Sequence, residues 1–364
     1  MTQRTLDILV FSAKGGGTGC ALRARYIAEA LAKRGHRARL VDPIPSLPYW
    51  FDMVLSTLYY LGVSLRHRSD AAMLIKPYPT AVPALWVQRL KGAKLVIDVD
   101  DLDYDYSHGW FRGFHQWLQL PWPKWADLVT YHTPFLLGPL KEVFHVPAGQ
   151  IVQLPQGVDL DLFHADHKDL HHLPPVARHL HKTRQEGPLL VFTAHLNVAC
   201  DLEPVLQAFK LILKRTPKAR LLVAGGGPDE GRFKALTRDL GISASVFFTG
   251  YLAPQQVAAC LRLADAALVY YRDNAVNRHR ASMKLREALA SGAKVAATEV
   301  GEAAQFDRVL FGSDPAPEAF AKAIERALKA RKTPGGASKL VKKWDWKLCV
   351  ENLEQSLVHR EETK

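Results

Sequence analysis

The chain has 364 residues, 48% of them hydrophobic, which is too many for one ordinary core and suits two α/β domains. It carries 48 Lys and Arg against 36 Asp and Glu, a formal charge of +12, so its partners are expected to be anionic: nucleotide phosphates, lipid headgroups or nucleic acid. Its four cysteines, Cys20, Cys200, Cys260 and Cys349, form no CxxC pair, which excludes a zinc ribbon or disulfide framework and fits a reducing cytosol; no window approaches about 18 unbroken apolar residues, so neither a leader peptide nor a membrane span is expected.

Short apolar, β-branched runs alternate with amphipathic stretches of helical length from end to end, the pattern of parallel sheets covered by helices. A first series of strands is predicted at residues 8–13, 38–42, 71–76, 94–100, 128–132 and 151–154. A helix over 18–33 follows the first of them, with Ala21, Leu22, Ile27, Ala30 and Leu31 on one face. The first 39 residues hold eight Lys or Arg and only two acids, so a membrane-facing helix could lie here.

Lys14-Gly15-Gly16-Gly17-Thr18-Gly19 joins that strand to that helix, where bare amides and a helix N-terminus suit an anion. No Gly-Lys-Ser/Thr follows and the spacing is not GxGxxG, so neither an ATPase loop nor a dinucleotide fingerprint is read. A tight turn that binds nothing is the plainer alternative.

Residues 97–103 place Asp98, Asp100, Asp101 and Asp103 at the C-terminal end of a buried strand, where open α/β sheets put ligands. A carboxylate there, Asp100 above all, could orient a bound hydroxyl, stabilise a developing positive charge or act as a base; helix capping and ion pairing are the competing explanations. Next, residues 110–125 gather four of the eight tryptophans, with Phe111, Phe114, Arg112 and His115. Such a cluster serves as an acceptor platform, a membrane-interface patch or ordinary core.

The run 159–187 breaks the pattern with Pro174, Pro175, six histidines and many charges, so residues 164–187 are predicted to be a solvated linker. No zinc spacing is found among those histidines. The domains are therefore expected at 1–163 and 188–345, with strands at 189–193, 220–224, 246–249, 266–270, 294–297 and 309–311 in the second and a helix over 317–329. A last helix at 346–358 is expected to return to the first domain.

Several segments resemble the family-four glycosyltransferases of the GT-B fold, in order and across nearly the whole chain. Pro155-Gln156-Gly157-Val158-Asp159 with Phe163 is similar to that family's PNGVDxxxF segment; Gly225-Gly226-Gly227-Pro228 to its GxGP turn; Phe248-Thr249-Gly250-Tyr251-Leu252 to its FxGxV turn; Ala264-Asp265 to its AD pair. The run from Ala281-Ser282-Met283-Lys284 to Glu287-Ala288 is similar to its SPxKxxEA helix. The resemblance implies two Rossmann-like, doubly wound domains facing across a cleft. It also implies metal-independent, cofactor-free sugar transfer from a UDP or GDP type donor, with retention, to a glycan, lipid-linked or small-molecule hydroxyl.

In that resemblance Glu287 accepts hydrogen bonds from the ribose hydroxyls, as a carboxylate suits a vicinal diol. The amides of Ala281 to Lys284, including Ser282 and Met283, cradle the diphosphate, with Lys284 or Arg280 neutralising it. Gly250, Tyr251 and Leu252 border the nucleotide, Gly17 and Thr18 line the opposite wall, and Asp100, Asp101, His279 and Lys284 are the catalytic candidates. His279 stands where many relatives carry a second glutamate. His195 and Cys200 stand where they carry an Arg and Lys, and Arg278, Arg280 and Lys284 are expected to supply the missing charge.

The resemblance implies an enzyme of cell-envelope or exopolysaccharide assembly, either cytoplasmic or peripheral on the inner face of an anionic membrane. A sugar-nucleotide epimerase or a catalytically degenerate binding module keeps the same donor site. Nucleic-acid binding would explain the charge but neither Glu287 nor the PQGVD segment.

Overall fold

The computed structural model describes residues 5–13, 18–44, 49–106, 109–164, 171–182, 187–197, 199–331 and 337–359. Its first half runs β1 (Asp7–Ser12), α1 (Gly19–Lys33), β2 (Arg37–Val41), α2 (Tyr49–Arg66), β3 (Ala71–Ile75), α3 (Val82–Leu90), β4 (Lys94–Val99), α4 (Trp110–Gln119), β5 (Leu128–Tyr131), α5 (Leu137–Glu142) and β6 (Ile151–Gln153). Then come α6 (Pro175–Lys182), β7 (Leu189–Thr193), α7 (Leu202–Arg215), β8 (Arg220–Ala224), α8 (Glu230–Asp239), β9 (Val246–Phe248), α9 (Pro254–Leu263), β10 (Ala266–Val269), α10 (Ala275–His279) and α11 (Met283–Ala290). The chain closes with β11 (Val295–Thr298), β12 (Phe311–Ser313), α12 (Pro317–Lys329), α13 (Ala337–Lys342), α14 (Trp346–Cys349) and α15 (Glu351–His359).

Contacts divide the chain into two units. One comprises Met1–Gly157 with His279–Ala281 and Trp346–Lys364, the other Val158–Arg278 with Ser282–Asp345. Each holds a six-stranded, all-parallel sheet, ordered β2-β1-β3-β4-β5-β6 in the first and β12-β11-β10-β7-β8-β9 in the second. Both orders are doubly wound, with their switch points beside β1 and β3 and between β7 and β10.

Strand residues alternate between two cores in the first unit. Ile8, Val10, Met73, Ile75 and Val96 face α1, α14 and α15, whereas Leu9, Phe11, Leu74, Leu95 and Ile97 face Tyr60 of α2, Leu85 of α3 and Leu140 of α5. The C-terminal helices thus cover α1, and the predicted single helix at 346–358 is two helices parted at the buried Val350.

Two arginines of the basic N-terminal run are spent within the fold, while Arg25, Lys33, Arg37 and Arg39 stay exposed. Arg23 is 2% exposed and grips Asp98 through Nε at 2.7 Å and Nη2 at 2.9 Å, Leu154 O at 2.8 Å and Gln156 Oε1 at 3.1 Å. Burial works against its charge, but the adjacent Asp98 carboxylate outweighs that and holds the guanidinium above its ordinary pKa. Arg34 binds Glu354 at 2.5 Å and Glu351 at 3.1 Å. Gln156, in the PQGVD run, is therefore part of a buried anchor that ties β6 to α1 and β4.

The segment expected to be a solvated linker behaves differently. The contact boundary falls at Gly157, and within 171–182 lies α6, with Leu173, Ala177 and Leu180 buried in the second unit's core together with Phe163. Their spacing is that of one helical face, and Pro175 sits at the first turn, where a missing N–H costs nothing. Proline and histidine content concealed that helix.

Candidate active site

In the second unit the C-terminal ends of β7, β8, β9 and β10 converge, and three glycines make the convergence possible. A Cβ at Gly225 would stand 1.9 Å from Ala194 O, at Gly226 2.8 Å from Tyr251 N and at Gly227 2.2 Å from Leu196 O; Gly225 also has φ +141°. The turn therefore lies flat against the loops after β7 and β9, tied by Leu196 N–H to Gly226 O at 3.0 Å and by Gly225 N–H to Thr249 Oγ1 at 3.1 Å. Gly250 turns at φ +70°, which aims Tyr251 outward at 72% exposure, while Leu252 packs against the core. The Tyr251 hydroxyl lies 3.4 Å from His195 Nδ1, with ring centroids 5.9 Å apart. An exposed imidazole and an exposed phenol thus meet where the loops after β7 and β9 come together.

Helix α11 begins at the same edge. Ser282 caps it: its buried Oγ accepts from Leu285 N–H at 3.1 Å and shares a hydrogen bond with the Tyr271 hydroxyl at 3.0 Å. The side chain of Ser282 is thereby committed to the helix, leaving backbone rather than hydroxyl at its mouth. Met283 and Lys284 follow, both half-buried, with the Lys284 ammonium 5.8 Å from the Phe192 ring centre. One turn on is Glu287, half-buried, whose surroundings are dense enough that burial raises its carboxyl to about 7, while Lys284 pulls the other way. The same ammonium opposes the burial that pushes the Cys200 thiol up. The loop after β7 therefore reaches Tyr251 through His195 and the neighbourhood of Lys284 through Cys200.

Asp201 fixes the approach to α11. It accepts from Arg272 N–H at 2.9 Å and from Asn277 Nδ2 at 3.3 Å. Arg278, expected to supply charge to a diphosphate, instead forms an exposed pair with Asp273 at 2.6 Å, which holds that carboxyl below its usual range. Next door, Arg286 is buried between Ser282 O at 3.2 Å and Glu302 at 2.8 Å, with its guanidinium 4.7 Å from the Trp344 ring centre. It is a packing residue of the helix that carries Glu287.

In the first unit Asp100 and Asp101 follow β4. Asp100 Oδ1 accepts the Asp101 N–H at 2.8 Å, and the Lys76 ammonium lies 3.8 Å from both carboxylates. Lys76 is 5% exposed and has φ +74°, a left-handed backbone that a long side chain rarely adopts. No pattern in the sequence marked this lysine; its position just past a β3 run, level with the aspartates, was the available signal. Thr18 caps α1, accepting from Ala21 N–H at 3.3 Å, and Gly17 lies outside the described residues. His279 and Arg280 belong by contacts to the first unit, where His279 Nδ1 lies 3.9 Å from Asp105 Oδ2 and the neighbouring Ala281 N–H donates to His132 Nε2 at 3.0 Å. Seven of the nucleotide-side and catalytic candidates, Gly250, Tyr251, Leu252, Ser282, Met283, Lys284 and Glu287, thus share the second unit, whereas Thr18, Asp100, Asp101, His279 and Arg280 lie in the first.

Two parallel six-stranded units, doubly wound, with loops of ligand-binding type at their C-terminal strand ends, define a GT-B chain of two Rossmann-like domains. Residues 187–330, nearly all in the second unit, match the family model of glycosyl transferases group 1. Over 142 residues the chain is 30% identical to the GDP-mannose-dependent alpha-(1-6)-phosphatidylinositol monomannoside mannosyltransferase of Mycobacterium tuberculosis, covering 38% of this chain and 35% of the relative. The match thus spans about a third of that protein's length. Its fold is similar to sucrose-phosphate synthase from Thermosynechococcus elongatus, with a TM-score of 0.75 at 18% identity over 99% of both chains. It is similar too to Anabaena HepE, solved with UDP and glucose, with a TM-score of 0.72 at 14% identity over 97% of this chain and 99% of that one.

Proposed function

We propose that the protein transfers a sugar from a nucleoside-diphosphate donor of UDP or GDP type to a hydroxyl acceptor, without a metal, in the assembly of an envelope glycan or glycolipid. The observation that carries this reading is α11, which starts at a sheet edge with its N-cap satisfied from within and presents Lys284 and then Glu287. In this reading the first-turn amides and Lys284 take the charge that develops on the leaving diphosphate, while Arg280 adds to it. Glu287 accepts from the ribose diol. Two new donors in place of bulk water favour its ionised form, so binding lowers a carboxyl that burial has raised. Tyr251 and His195 border the nucleotide.

Asp100 and Asp101 are the acceptor-side groups, with Lys76 holding their charge in place and His279 nearby in sequence to Arg280. The similarity to a phosphatidylinositol monomannoside mannosyltransferase supports a lipid-linked acceptor, and the structure solved with UDP and glucose supports a nucleotide-sugar donor. Work at the inner face of an anionic membrane is part of the same reading.

The test is turnover of UDP-glucose and GDP-mannose with and without a membrane lipid extract. A transferase releases free nucleotide only when acceptor is supplied. Conversion of the donor's sugar without acceptor would instead establish an epimerase, and no turnover with bound nucleotide would establish a degenerate module.

A further inference from the structure

Sixteen large hydrophobic side chains stand exposed among the described residues, and eleven of them lie on α2, α3 and α4 of the first unit, against a single one, Tyr251, in the whole second unit. The most open are Leu58 at 58%, Leu65 at 60%, Leu90 at 86%, Trp110 at 70% and Trp117 at 68%. Helices α2 and α3 pack side by side, and the segment after α4 joins them. The helices α2 and α3 and the end of α4 pack on the same core through Tyr60, Leu85 and Leu120. Trp86 of α3 meets Trp125 with ring centroids 6.1 Å apart, and Trp122 Nε1 donates back to Leu118 O of α4 at 2.6 Å, so the surface is continuous. On α4 the aromatics form a ladder, Trp110 on Phe111 at 4.3 Å and Phe114 on Trp117 at 6.2 Å.

We propose that this α2–α3–α4 face docks on the headgroup and upper acyl region of an anionic lipid bilayer. The charge pattern selects that occupant. The three helices hold one carboxylate, Asp52, against Arg66, Arg89 and Arg112; Arg89 is paired with Asp127 at 3.5 Å and Arg112 with Asp105 at 3.1 Å, while Arg66 and the flanking Arg68 and Lys124 are exposed. An apolar patch bordered by these three exposed cations matches an interface whose headgroups are negative and whose depth admits tryptophan rings. The basic helix α1 has no part in it, because it packs in the core on the other side of the first sheet. The proposal rests on the reading that the protein works at an anionic membrane, but not on which residues bind the donor, so nucleotide titration and vesicle binding fail independently.

The experiment is sedimentation of the purified full chain with phosphatidylcholine vesicles and with vesicles of phosphatidylcholine and phosphatidylglycerol, alongside light scattering of the protein alone. The wild type is expected to pellet with the anionic vesicles at low salt, and brominated acyl chains are expected to quench its tryptophan emission. The double variant Leu58→Ser/Trp117→Ser, with unfolding temperature unchanged, is expected to partition at least tenfold less, and Arg66→Glu/Lys124→Glu to lose the preference for phosphatidylglycerol. Should the double variant fail to fold, the quenching measured on the wild type decides the matter. Failure of the wild type to bind either vesicle, binding by the double variant equal to the wild type, or a dimer that the double variant splits would each overturn the proposal, the last by assigning the face to a second copy.

Discussion

Glu287 stands one helical turn after Lys284 at the edge of the second sheet, and its carboxyl is raised from its ordinary 4.5 to about 7 because burial penalises the charged form more than Lys284 favours it. Between those two pH values the folded protein holds a proton that the unfolded chain has released, so stability falls as pH rises through the window, by up to about 3 kcal/mol. Glu287→Gln removes that titration. Thermal unfolding at pH 5 and pH 8 is expected to show the variant gaining on the wild type as pH rises, whereas an unchanged difference at the two pH values would mean the carboxyl is not raised. The Asp98 carboxylate, fully buried, is gripped by Arg23 and accepts from Thr130 Oγ1 at 2.6 Å, which makes it a structural anchor. An aspartate strand read from the sequence alone contains both kinds of residue, and only the partners separate Asp98, an anchor, from Asp100, which shares Lys76 with Asp101.

Among the elements, the glycine turn after β8 shows how a motif encodes contact rather than chemistry. Gly227→Ala would press a methyl to 2.2 Å from Leu196 O, and an expected loss of about 2–4 kcal/mol follows from the forced shift of two loops. Gly231, inside α8 with nothing within 4 Å of its Cβ direction, is the control: Gly231→Ala is expected to gain about 0.5–1 kcal/mol from helix propensity. Urea unfolding of the two variants checks both signs, and equal effects would show that the turn is not tightly packed.

The strands were legible because a buried parallel strand is a bare apolar run, and Arg220–Ala224 or Leu189–Thr193 can hardly be read otherwise. Helix α12 was legible to the residue, with Pro317 opening it. Helix α6 was not, since six histidines and a proline pair outweighed three apolar residues in regular spacing, and a core partner decides such cases only in three dimensions.

For the molecule as a whole, the two units share an architecture and differ in surface. The second presents glycine turns, a helix start and two ionisable side chains at one sheet edge; the first collects exposed aromatics and leucines over one face of its sheet. Composition gave the excess of positive charge but not its disposal, because Arg23, Arg34 and Arg278 spend theirs on carboxylates within the fold. The residues of the donor-side candidate site were legible through resemblance, in the spacing from Gly250 to Glu287. Lys76 and the Tyr271–Ser282 hydrogen bond were not, since each depends on neighbours distant in sequence or on an unusual backbone angle.

The central claim is that α11 and the loops beside it hold a nucleoside diphosphate. Calorimetric titration of the purified chain with UDP, GDP, ADP and TDP, for wild type and Glu287→Ala, tests it most directly. Selective binding of one nucleotide, weakened at least tenfold in the variant, is the predicted result; binding of none, or equal binding by the variant, would contradict it.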